Sequence, residues 1–308
     1  MLLKSFVLLA AIGQAVAQRP ANVSVCDYYT TALLKNNTAE NQLELLTLVV
    51  NTAVIGNYTK PNVGIAVPGI LTPGTYNGTA VNLLQYFDGM LLSTNEGGSS
   101  GQSVNFLDDG GAAPLKLNMA ANGTTSNQYK LLTHLYQYFG VLLGCTLQGG
   151  SAFPPYAAGK SMYQVHKFMA LDPFEVGYFI TQVGLSAASF GVATEDVTTV
   201  GEALGKLFDY RCSPPTTVIP SQGPQLQSIC TDKQCPLSPN ATCSLESNNG
   251  VAVAPANATT NSTTNATTSV SSTGSLTPAP SATTSDGTAT RAGSIAVLLA
   301  AAMFALNL

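Results

Sequence analysis

Between Asn41 and Ile55 the chain places Leu43, Leu45, Leu46, Leu48, Val49, Val50 and Val54. Wound as a helix, this stretch is apolar on nearly every side. It has no face to give to water and belongs inside a core. A buried helix needs others around it, and the remaining apolar patterns supply them at helical spacing. A short helix is expected around Tyr28, Leu33 and Leu34. A long one runs from Ser126 to Gly144, with Leu131, His134, Leu135, Tyr138, Phe139 and Leu142 on one broad face and Gly144 as its stop. Lys160 to Ala170 repeats the pattern through Met162, Val165, Met169 and Ala170, with His166 inside the stripe. Asp172 as N-cap, Pro173 in the first turn and Glu175 as the reciprocal partner announce the next helix. Its inward stripe is expected to be Phe179, Val183, Ala187 and Phe190, with Gly191 ending it. Thr194 opens the last helix, which turns Val197, Val200, Leu204, Leu207 and Phe208 inward and finishes near Cys212. The patterns predict an all-α domain over residues 18–213. The Gly- and Pro-rich region from Pro61 to Thr125 is expected as a long loop insertion, broken by one helical piece from Ala80 to Leu92 with Leu83, Leu84, Phe87 and Met90.

The two ends read as processing signals. Residues 1–17 have the form of a secretory signal peptide: Lys4, a short apolar core from Phe6 to Ala11, and Ala15-Val16-Ala17 before the expected cut. Residues 288–308 have the layout of a GPI-attachment signal, with small residues Ser285-Asp286-Gly287 ahead of a polar spacer and an apolar tail from Ile295 to Leu308. The mature protein is therefore expected at the outer face of the plasma membrane or in the cell wall. Its partners there would be the outer leaflet, through the GPI lipid, and cell-wall polysaccharide. Six cysteines, Cys26, Cys145, Cys212, Cys230, Cys235 and Cys243, suit an oxidising compartment, and their pairing is left open by the sequence. Asn-x-Ser/Thr sequons begin at Asn22, Asn36, Asn57, Asn77, Asn122, Asn240, Asn257, Asn261 and Asn265. Residues 214–250 hold too few apolar side chains for a core of their own. Residues 251–287, rich in Ser, Thr, Pro and Asn, read as a disordered glycosylated stalk. A formal net charge of −4 without a basic run excludes nucleic acid as a partner.

The chain has only two histidines, His134 and His166, and both fall within apolar helical stripes. A histidine so placed is ordinarily a core residue whose ring nitrogens bond backbone carbonyls. The stretch from Tyr156 to Phe208, however, resembles the C-terminal half of group 1 truncated haemoglobins. The resemblance is carried by Tyr156, Gly159, Met162-Tyr163-Gln164-Val165-His166, Tyr178-Phe179, Gly191-Val192 and Glu195-Asp196, and extends back to Leu131–Gly144 as the distal helix. It implies a globin-like domain of the truncated 2-over-2 type holding haem b. His166 would be the proximal iron ligand and His134 a distal one. Leu131, Leu135, Tyr138, Phe139, Met162 and Met169 would line the apolar slot that a porphyrin needs. Lys130, Lys160 and Lys167 are the cations available to haem propionates. The chain departs from the family where distal hydrogen-bond donors belong: Asn51 stands at the usual tyrosine, and Leu131 and Leu135 at the usual glutamines. A bis-histidyl site for haem holding, redox or gas sensing is the leading expectation. The alternative is a haem-free, GPI-anchored glycoprotein with a structural or adhesive role. No Ser-His-Asp or paired-carboxylate constellation points to a hydrolase.

Overall fold

The computed structural model describes residues 18–59 and 62–258. The signal peptide, the GPI signal and all of the expected stalk beyond residue 258 lie outside them. Among the described residues seven α-helices carry the fold: α1 (Val25–Leu34), α2 (Ala39–Ile55), α3 (Ala112–Leu115), α4 (Asn127–Leu143), α5 (Met162–His166), α6 (Pro173–Ser189) and α7 (Thr194–Phe208). The two strands β1 (Gly74–Tyr76) and β2 (Thr79–Val81) form one antiparallel hairpin. The fold is thus mostly helical, and α2 sits at its centre, packed against α1, α3, α4 and α6. Leu45, Leu46, Val49, Val50, Ala53 and Val54 are all buried. Fully burying one such Leu or Val stabilises the fold by roughly 1.5–3 kcal/mol.

The helix ends follow the local chemistry. The Ser126 hydroxyl accepts the Tyr129 N–H at the start of α4, and Gly144 closes that helix in the left-handed conformation at φ 73°. Asp172 and Glu175 form the reciprocal capping box at the start of α6, with Pro173 in its first turn.

Four expectations need correction. The helical piece over Ala80–Leu92 is absent: Thr79–Val81 is a strand, followed by a single 3₁₀ turn at Leu84–Tyr86. The cause is Asn77-Gly78, which joins β1 to β2 with φ of 48° and 80°, the two-residue hairpin turn that Asn-Gly favours. The helix around His166 is shorter than Lys160–Ala170. It stops at His166, and Ala170 turns away at φ 52°.

On α4 the most buried positions are Gln128, Leu132, Tyr136, Phe139 and Gly140, with Tyr138 beside them, while Leu131, His134, Leu135 and Leu142 are half-buried. The buried face is rotated because two of its members are polar. Gln128 exchanges hydrogen bonds with the Gly111 backbone, and Tyr136 donates to Asn51 Oδ1 at 2.6 Å. On α6, Gln182, Ser186 and Ser189 lie deeper than Phe179 and Ala187. Gln182 Oε1 accepts the Gly69 N–H, and the Ser186 hydroxyl donates to the Val49 carbonyl.

Three disulfides brace the domain. Cys26–Cys145 ties α1 to the end of α4, Cys212–Cys243 returns the C-terminal extension to the end of α7, and Cys230–Cys235 closes a short loop within that extension. Residues 214–250 do not stand apart. Ile219, Ile229, Cys230 and Cys235 join the main core. The first residues of the expected stalk are also ordered onto the domain: Leu92 N–H donates to Ala256 O, and Ala258 N–H to Met90 O.

Candidate functional site

The site to be tested lies between α4, which carries His134, and α5, which carries His166. Ser161 caps α5 by accepting the Gln164 N–H, and Met162 and Tyr163 are buried. His166 Nδ1 stands 2.8 Å from the Met162 carbonyl. A carbonyl only accepts, so Nδ1 carries the proton and the lone pair is left on Nε2. Burial holds His166 below its ordinary value of 6.5, opposed by that carbonyl bond, so the ring is neutral at neutral pH. His134 is also lowered, by burial first and then by the charge of Lys130.

The two histidines face different neighbours. The His134 ring meets Tyr156 edge-on at 6.3 Å between centres, and Tyr138 meets the same ring at 5.3 Å. Tyr156 is buried, and its hydroxyl donates to the Gly159 carbonyl. The extension then bridges the helices. Leu226 O accepts from the Ser161 hydroxyl and the Tyr163 N–H at α5, while the adjacent Gln227 accepts the Tyr138 hydroxyl at α4. Gln227 and Ser228 are buried as a result. Tyr156 and the 226–228 segment together occupy the wedge between the helices.

The other residues expected in a haem slot disperse. Leu135 and Phe139 line an apolar cavity among α1, α2, α4, α6 and α7, and Leu131, Leu135, Phe87 and Phe106 line a second gap. Neither histidine lines either cavity. Met169 packs half-buried against the core, and the Lys167 ammonium lies 4.9 Å from the centre of the Phe168 ring. Asn51, where the resemblance places a distal tyrosine, is buried between the Leu115 carbonyl and the Tyr136 hydroxyl. Leu131, Leu135 and Phe139 thus line cavities that neither histidine reaches. No family model, no curated protein and no solved structure matches this chain. Among the described residues no group of three or more His, Cys, Asp or Glu side chains could hold a metal ion.

Two features escaped sequence reasoning. The wedge-filling role of Gln227 is set by a contact to Tyr138 across 89 residues, and no local pattern announces it. The ionic latch between Arg19 and Asp196 is the other. Arg19 Nε and Nη2 donate to Asp196 Oδ1 at 3.0 and 2.7 Å, and the Tyr29 hydroxyl donates to Oδ2 at 2.8 Å. Those bonds hold the Asp196 carboxyl below the usual carboxylate range despite burial. The acidic start of α7 was visible; its partner near the N-terminus was not.

Proposed function

We propose that this chain is a haem-free, globin-like helical module displayed at the outer cell surface, with a structural or adhesive role. The observation that supports it is the filled wedge, where Tyr156 and the 226–228 segment stand against the residues a haem would need. Three disulfides fit an extracellular setting. The described sequon asparagines, Asn22, Asn36, Asn57, Asn77, Asn122, Asn240 and Asn257, are all exposed, as glycan acceptors must be. No helix among the described residues is long and apolar enough to cross a membrane. Attachment is assigned to the C-terminal GPI signal read in the sequence, with the Ser/Thr-rich segment as spacer and cell-wall polysaccharide as the neighbouring partner. The test is a hemin titration of the purified protein, paired with surface display of a His134→Ala/His166→Ala variant. No Soret band and an unaltered surface phenotype are expected. A saturable Soret band would refute the haem-free reading.

A second reading keeps haem b on His166. It is favoured by one observation: the Nδ1–carbonyl bond leaves Nε2 as the unprotonated nitrogen, the state a metal ligand needs. In that reading Tyr156 and residues 226–228 must leave the wedge. A low-spin ferric spectrum that changes on His134→Ala would support it together with a bis-histidyl iron.

A further inference from the structure

On another face of α4, five helices converge without closing completely. The cavity they leave measures about 70 Å³ at the centre of a water-sized sphere. One water needs roughly 10–15 Å³ by that measure, so the room suits several heavy atoms. It exists because small residues meet there: Ala53 of α2, Gly184 and Ala187 of α6, and Gly201 of α7. A Cβ placed on Gly201 would meet no atom within 4 Å, and one on Gly184 only Val197 Cγ1 at 3.4 Å.

The rest of the lining is Val, Leu, Ile and Phe, with the Cys26 disulfide, Tyr29 and Asp196. The last two are committed elsewhere. The Tyr29 hydroxyl donates to Asp196 and accepts the Ala193 N–H, while Asp196 also holds Arg19. The interior therefore offers water no set of hydrogen-bond partners, and an apolar cavity of that kind stays dry. A charged head group gains nothing inside it, since the Arg19–Asp196 pair is already internally neutralised.

We propose that this cavity is a binding site for a small uncharged hydrocarbon group, either a compact ring or the end of an alkyl chain. The inference goes beyond the surface role, because the cavity lies apart from the wedge between α4 and α5. The purified full chain is titrated with benzene, n-hexane and hexanoate by calorimetry, and its thermal midpoint is followed with each. Saturable binding and a raised midpoint are expected with benzene or hexane, which tells ring from chain, and none with hexanoate. Gly201→Leu, which fills the space, should weaken that binding at least tenfold while keeping the wild-type helical spectrum. If Gly201→Leu loses that spectrum, Gly201→Ala decides: a threefold or greater loss of affinity supports the site, and unchanged affinity overturns it. Absence of saturable hydrocarbon binding overturns the proposal and leaves a packing defect. So does undiminished binding in a folded Gly201→Leu, or hexanoate binding as tightly as hexane.

Discussion

The clearest test of how the bundle is wired is the Asn51–Tyr136 pair. Both side chains are buried, and Asn51 Oδ1 accepts the Tyr136 hydroxyl at 2.6 Å while Nδ2 donates to the Leu115 carbonyl at 3.1 Å. Burial raises the Tyr136 phenol far above its usual range, so it is a proton donor at every working pH. In Tyr136→Phe the Asn51 oxygen is stranded, and an unsatisfied buried polar group costs about 1–3 kcal/mol. In Asn51→Leu the stranded group is the Tyr136 hydroxyl. The Leu115 carbonyl loses less, because it keeps the Asn118 N–H at 3.1 Å. Each single substitution should therefore destabilise by about 1–3 kcal/mol. The double variant replaces both partners with apolar groups of similar shape, which is close to neutral. It should be more stable than either single, with a coupling well outside the roughly 0.3–0.5 kcal/mol scatter of independent sites. Guanidinium unfolding followed by far-UV circular dichroism measures all four proteins. If the double loses the sum of the two singles, Asn51 is not tied to Tyr136 in solution. Its position would then be free to face a ligand, as the distal residue of a haem globin does.

Other outcomes follow from the same coordinates. Removing Cys26–Cys145 opens a loop of sequence separation 119 and should destabilise by roughly 5 kcal/mol on chain entropy, against roughly 2 kcal/mol for Cys230–Cys235 with separation 5; denaturant midpoints of the two Ala pairs should fall in that order. Burial pushes the Asp209 carboxyl from 3.8 up to about 6. Its contribution to stability is complete below pH 3.8 and is lost as pH rises through about 6, so Asp209→Asn should flatten that part of the thermal-midpoint profile. Asp196 has the opposite sign: its carboxyl is lowered from 3.8, so its latch holds above that pH and is lost on further acidification, and Asp196→Asn should remove the acid limb. His134, lowered from 6.5, favours the fold while neutral and loses that contribution as pH falls below 6.5, and His134→Gln should lessen the drop.

What the sequence made legible was local. The Asp172 box and the Gly144 stop each depend on residues within one turn of one another, and each forms. The all-round apolar character of Asn41–Ile55 likewise sufficed to mark α2 as buried. The failures share a different cause. An apolar-stripe reading assigns polar residues to the surface, so it found Tyr138, Phe139, Val183 and Phe190 but not the polar members of the buried faces, Gln128, Tyr136, Gln182 and Ser186, whose partners lie far away in the chain. The hairpin at Asn77-Gly78 had a local signal in its turn dipeptide, but Leu83, Leu84, Phe87 and Met90 mimic a helical stripe across it. Disulfide pairing had no local signal at all.

His166 shows why a motif alone does not decide chemistry. His166 donating Nδ1–H to the carbonyl four residues back is what a haem ligand does, and equally what a neutral core histidine does. The difference lies in what fills the space between α5 and α4. In a haem-binding globin the porphyrin is itself part of the apolar core, and a chain that dispenses with it must supply replacement volume. On the haem-free reading, that volume comes from Tyr156 and from residues 226–228. The latter are kept in place by Cys230–Cys235 just beyond them and by Cys212–Cys243 across the extension. An oxidising exterior makes the bridges available, and the extension they pin is bonded to both α4 and α5. The two readings therefore oppose each other at a single place. Reducing Cys230–Cys235 and Cys212–Cys243 should loosen the wedge before α2 and its neighbours, and only a chain built for haem would then take up hemin at His166.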